Sequence, residues 1–377
     1  MKLFAACAVA GLFVSLAGST LAHDENKPAK AGEKIERNLA VDPAVTVTLC
    51  VASGTLKVHG WDKNEVRVRS TDAGQIEFRR IDKAEKTKTE KSKDTSKPPT
   101  RVDVMVFDQT TSIARPRLDC QALASIEMDV PAGATVQAQT RDGDITIAGV
   151  AGAYAGSQNG DITIERATRL VEAGSVGGSI ALRNSSGRVF LNSAGGGVDV
   201  SNVRPTSDED TFEVGTVSGD IQLDRVSIAK VTAKTVNGTL TMSGPLAKAG
   251  NYGFSSVTGD VVLALPSDAS FQLIAKVSEK HDIVSDFKLK YINEPAMPAP
   301  PAKPKTAPEA TPKTPKPPGS KTPQPMPRNG PVVAPIIVEK PTLPAPYVLR
   351  RVTAICGTGD ATISVASFGG TVRLKKI

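Results

Sequence analysis

Pairs of aliphatic residues two places apart, each opened by a glycine, run through most of this chain. Eleven times a small or turn-forming residue precedes a Gly, and apolar residues follow two and four places on. The glycines are Gly54, Gly143, Gly160, Gly178, Gly187, Gly196, Gly219, Gly238, Gly259, Gly359 and Gly370. Leu56/Val58, Ile145/Ile147, Ile162/Ile164, Ile180/Leu182 and Val372/Leu374 illustrate the pairs. Residues two apart on a strand face the same side, so each copy predicts a tight corner feeding a half-buried strand. At the corner, Gly is expected to supply positive φ, with Asn or Asp bonding the turn backbone.

From Gly143 to Gly259 the full repeats step by 17, 18, 18, 23, 19 and 21 residues, with Gly187 as a half-step. A unit of ~20 residues cannot bury its apolar face alone, and stacking it on its neighbours gives a continuous core. The expected fold is therefore all-β, a single-stranded, β-helix-like solenoid of ~20-residue coils. About ten coils at ~4.8 Å would make a rod on the order of 45 Å long. The alternative is a β-sandwich of hairpins, since Asn-Gly and Asp-Gly also mark hairpin turns. No segment of the mature chain sustains helical apolar spacing.

Residues 1–22 hold one Lys, an apolar run from Leu3 to Leu16 and small residues ending at Ala22, the pattern of a secretory signal peptide. Residues 23–34 follow as a linker, and 35–377 as one repeat domain. No later apolar stretch is long enough to span a bilayer. The expected location is outside the cytoplasm, in the periplasm, on the surface or secreted. Of four cysteines, Cys7 lies in the leader, leaving Cys50, Cys120 and Cys356. Export permits a disulfide, with Cys50–Cys120 the first pairing and three reduced, buried cysteines the alternative.

The net charge of +7 is concentrated in two segments. Residues 79–101 carry nine Lys or Arg against four acids, and 295–346 carry seven against two, so the remainder is slightly acidic. The first segment has almost no apolar residues and reads as a charged loop. The second holds 18 of the 27 prolines and reads as a Pro-rich insertion, because the repeat resumes beyond it at Gly359 and Gly370. Such segments serve as tethers or as contacts for anionic envelope polymers. They give no nucleic-acid signature. A last strand at 371–377 would leave an open edge, guarded by Arg373, Lys375 and Lys376.

The phrase Ser53-Gly-Thr-Leu-Lys-Val-His-Gly-Trp-Asp, then Val130-Pro-Ala-Gly-Ala-Thr-Val, then the serial Gly-Asp-Ile strands resemble the bacterial "putative adhesin" domain of otherwise unknown function. The resemblance runs from about residue 35 to the C-terminus outside the two insertions. It implies an exported or surface-located β-solenoid and brings no catalytic residues.

Catalytic chemistry is sparse. His23, His59 and His281 are the three histidines, and they show neither metal spacing nor a nucleophile triad. Asp144, Asp161, Asp220, Asp260 and Asp360 follow their glycines and would stack along one edge, as corner caps or as Ca²⁺ ligands. The residues between the aliphatic pairs, among them Lys57, Thr146, Thr163, Phe190, Asp199, Thr362 and Arg373, would share one outward face. Trp61, the sole Trp, is expected to cap the first coil or to bind ligand. No cofactor or metal is called for. The expected function is a non-enzymatic adhesin or surface interaction module for a glycan, envelope polymer or protein. The alternatives are a structural or stress-sensing envelope protein and, less consistent with the pattern, a polysaccharide-cleaving enzyme. Oligomeric state is open.

Overall fold

The computed structural model describes residues 34–81, 97–107, 120–278, 282–293 and 349–377. The leader, His23, His281, the middle of the charged segment and the whole Pro-rich insertion lie outside these residues. Every regular element among them is a strand. The strands form two long sheets, one of 13 and one of 14. Through the body of the molecule each coil is one pass of chain carrying two strands, one for each sheet. Residues 145–157 show the unit: Ile145–Ala148 joins the 13-stranded sheet and Gly152–Ser157 the 14-stranded one. Successive coils pair in parallel with matched register, as in Ile162↔Ile180↔Val198↔Ile221. The fold is a two-sheet β-solenoid.

Between the sheets the repeat pairs form continuous apolar rows. Ile145, Ile162, Ile180, Val198, Ile221 and Leu240 are all buried on one side. Val136, Ala153, Val171, Val189, Phe212 and Val231 face them from the other sheet. Large side chains enter where the coil lengthens. Gly196 to Gly219 is the 23-residue step, and its extra chain forms a loop at 204–210 closed by the buried Asp210. Asp210 Oδ2 accepts bonds from Thr206 N, Thr206 Oγ1 and Ser207 N at 2.7–2.9 Å.

The motif glycines are needed for a different reason than expected. Gly143, Gly160, Gly178, Gly196, Gly219, Gly238, Gly259 and Gly370 are absent from the positive-φ residues, so left-handed geometry is not what selects them. A Cβ on any of them would strike the carbonyl of the motif glycine one coil earlier. They form a column of close backbone approach. The positive φ sits six residues later, at Gly149, Arg166, Asn184, Asn202, Arg225 and Gly244, one per coil. Gly54, which opens the column, does have positive φ, at 121°. Two other motif copies lie outside the column. Gly187 and Gly359 have φ of 93° and 80° and feed strands Arg188–Ser193 and Ala361–Ser367 of the opposite, 14-stranded sheet.

A second row, of hydroxyls, runs inside the corner. Ser157, Ser175, Ser193, Thr216, Thr235, Ser256 and Ser367 each lie three residues before a motif glycine. Each hydroxyl donates to the carbonyl of the preceding coil's motif glycine, at 3.0–3.5 Å. The close glycine stack buries carbonyls that water cannot reach, and the hydroxyls satisfy them.

The ends do not follow chain order. Coil 46–61 lies between the coil of 101–131 and that of 135–148. The C-terminal coil likewise lies inside the stack, with Val372–Lys376 between Val261–Leu265 and Ile283–Ser285. The open edge expected at 371–377 is therefore filled on both sides, and Arg373 pairs with Asp260 at 3.4 Å. Antiparallel strands close one end in both sheets, with Ile35–Ala40 outermost in the 13-stranded sheet and Gln75–Arg80 in the other. At the far end Leu349–Cys356 and Lys290–Asn293 close the 14-stranded sheet, while the 13-stranded sheet ends in the parallel strand Ile283–Ser285. The charged segment expected at 79–101 is narrower, because Arg79 and Arg80 complete one strand and Arg101 begins the next.

Candidate functional site

The corner aspartates are occupied by the fold. Asp144, Asp161, Asp220 and Asp260 each accept, through Oδ1, the backbone N–H of the next coil's corner residue at 2.7–2.9 Å. Asp360 is not in that row; it lies on the opposite side and accepts from Thr358 Oγ1. Among the described residues no group of three His, Cys, Asp or Glu is arranged to hold a metal.

The expected single outward face divides in two. Lys57, Thr146, Thr163, Ala181, Asp199, Gln222, Thr241, Val262 and Arg373 share one row on the 13-stranded sheet. Phe190 and Thr362 belong to the other sheet's outer face. There Phe190 lies in line with Glu172 and Tyr154 on neighbouring strands. Two residues along, on the same face, Gln139, Gly156, Gly174 and Asn192 are in register. Two glycines between longer side chains leave a trough.

That trough holds a cavity of about 290 Å³, with Gly156 and Gly174 as its floor and Phe190, Val176, Glu172 and Gln139 among its walls. Cys50 and Cys120 form its end. They are joined as a disulfide, with Cα atoms 4.8 Å apart. Val176 is half exposed, so the wall offers apolar surface to solvent. Phe190 was misplaced by sequence reasoning because one repeat phrase serves both sheets, and Gly156 and Gly174 carry no motif. Alternation of Gly with Gln and Asn at outward positions was the available signal.

A second cavity, of about 460 Å³, is lined by Lys34, Lys57, Arg69, Ser70, Thr71, Ser125 and Glu127. Beside it, Asp129 binds Arg67 at 2.7 Å and Arg69 at 3.1 Å. The hydrogen bond and charge of Asp129 raise the Arg67 pKa, against a smaller desolvation effect. Trp61 stands here rather than on the outermost coil, flanked by Arg67 at 4.7 Å and Lys63 at 5.0 Å. Its Nε1 donates to Glu65 O at 2.8 Å, holding the turn between two strands. His59 is exposed on the same strand as Trp61. Cys356 is half-buried at the far end and keeps its thiol, whose pKa burial pushes up.

The pattern of the Toastrack DUF4097 family matches residues 55–291, more than half of the chain. The chain belongs to that family. A solved structure from Clostridium sporogenes ATCC 15579, described as a "putative cell adhesion protein", is similar over 92% of this chain and 100% of its own. Its identity is 9% and its TM-score 0.17, so the likeness carries no argument about this protein. No curated protein matches the sequence. The Toastrack match begins within the first motif copy and runs through the two-sheet body. No helix among the described residues is long and apolar enough to cross a membrane.

Proposed function

We propose that this protein is an exported, non-enzymatic interaction module of the adhesin kind, and that it takes its ligand in the trough beside Cys50 and Cys120. The trough itself carries this reading. Phe190 offers an aromatic face next to a glycine floor, and Gln139, Glu172 and Asn192 bring polar groups to the same cavity. A sugar ring has the matching chemistry, an apolar face to stack and hydroxyls to bond. Parallel strands repeat the spacing every ~4.8 Å, which suits an extended glycan lying across them. The leader pattern of residues 1–22 puts such a module where envelope and host glycans are met.

A glycan array probed with the purified chain, followed by calorimetry on hits, tests the assignment. Phe190→Ala is expected to weaken binding about 10-fold, equivalent to ~1.4 kcal/mol, with an unchanged melting profile. Equal binding by the variant would remove the trough from the account. Turnover of any bound glycan would overturn the non-enzymatic reading.

A second reading rests on the basic cavity. Lys34, Lys57 and Arg69 around hydroxyl groups suit an anionic envelope polymer, as a structural or stress-sensing envelope protein would need. Salt-sensitive binding to lipopolysaccharide that Lys57→Glu abolishes and Phe190→Ala spares would decide for it. Protease shaving of intact cells separates the two locations: cleavage supports a surface adhesin, protection a periplasmic role.

A further inference from the structure

The C-terminal coil occupies a slot between two coils that are neighbours in sequence. Strands Val261–Leu265 and Phe271–Ser278 are joined by the short turn at 266–270, and chain continuity alone would stack their coils directly. Instead Ala361–Ser367 lies between Asn251–Ser256 and Phe271–Ser278, and Val372–Lys376 fills the matching place in the other sheet. The flanking coils stand two strand spacings apart, ~9.6 Å.

The connection to this coil is far longer than its path requires. Asn293 is paired with Thr353 in an antiparallel strand pair. A hairpin there needs about 2–5 residues, yet 55 residues, 294–348, intervene. The contour length of 55 residues is up to about 180 Å, so the covalent connection does not confine residues 349–377 to their own copy. The coil's bonds, meanwhile, are all made to a short stretch of chain. Thr371 N donates to Asp260 at 2.8 Å, Lys376 N donates to Asp286 at 3.2 Å, and Ser367 Oγ donates to Gly259 O. The two strand ladders add Asn251–Ser256, Val261–Leu265, Phe271–Ser278 and Ile283–Ser285. A second copy presents the same acceptor.

We propose that residues 349–377 of one copy dock in this slot of a second copy, giving coil-swapped dimers held by the strand pairs seen within one chain. Intramolecular docking competes at an effective concentration on the order of 1 mM. Exchange therefore prevails where the protein is concentrated, as on a crowded surface, and the closed monomer prevails when dilute.

The test uses full-length protein carrying Cys356→Ser, with Val262→Cys in one preparation and Arg373→Cys in another. These positions are register partners across the slot. The two are mixed in denaturant without reductant, refolded over a concentration series up to about 1 mM, oxidised and resolved on non-reducing gels. A disulfide-linked heterodimer is expected, rising with concentration and missing from either preparation alone. The pair Val284→Cys and Arg373→Cys reads the other wall of the slot. Failure of both pairs to give heterodimer at any concentration, with the double variants cross-linking within one chain, overturns the proposal.

Discussion

Gly196 and Arg166 show how differently two corner positions constrain the chain. A Cβ at Gly196 would meet backbone atoms of Gly178 and Ser179, none of which can rotate away. Gly196→Ala is expected to cost about 3 kcal/mol. At ~2–4 °C per kcal/mol for this size, calorimetry should show a drop of about 6–12 °C. Arg166 has φ of 53°, a region that costs a non-glycine residue about 1–2 kcal/mol. Arg166→Gly relieves that strain and adds chain entropy of about 0.5–1 kcal/mol, so its melting point should stay near the parent's. A similar loss from both changes would contradict the assignment of the two columns. Of the two positions, only the glycine is legible in the sequence. A positive-φ site held by Arg or Asn has no glycine to mark it.

At the level of the strand and corner, the hydroxyl row links coils that the apolar rows only press together. Ser193 Oγ donates to Gly178 O and accepts from Gly196 N, both at 3.0 Å. Ser193→Ala leaves both buried groups unpaired and should cost about 1–3 kcal/mol in chemical denaturation. Ser193→Thr, which other coils use, should recover most of it. This row was legible as Ser or Thr three residues before the glycine. Hydrophobic periodicity does not mark it, because apolar alternation begins only downstream of the turn. The 204–210 loop brings a pH effect. Burial raises the Asp210 pKa, but bonds from Thr206 and Ser207 outweigh it and leave the value lowered. A carboxylate with a lowered folded value stabilises the protein above its unfolded pKa of ~3.9. That contribution is lost as pH falls through the folded value. Melting curves at acid pH should fall less steeply for Asp210→Asn than for the parent.

Taken as a whole, the molecule is a stack whose end coils are locked by non-local pairings. The Cys50–Cys120 disulfide ties coil 46–61 to the chain 70 residues on, across the point where coil order and chain order part. By the chain-entropy relation, a closed loop of that length contributes about 4 kcal/mol. Reductant should therefore lower the denaturation midpoint of the full chain, and the Cys50→Ala/Cys120→Ala variant should reproduce the shift and be insensitive to reductant. Unchanged midpoints would show that stacking alone secures that end.

The sequence by itself determined the repeat, its solenoid consequence and the identity of the buried rows. Each is a local matter: a period of two behind a glycine fixes which side chains turn inward, and a ~20-residue unit without a closed core must stack. Tertiary structure decided the rest. Because the same phrase fits either sheet, only the assembled coils show that Gly187 and Gly359 feed the second sheet and that Phe190 faces the trough. Chain order also fails at the ends, since a parallel ladder accepts any strand of matching register and the 55 residues at 294–348 let Val372–Lys376 pair inside the stack. Strand pairing is a contact between distant segments, and its energy is set by the edge that each strand finds.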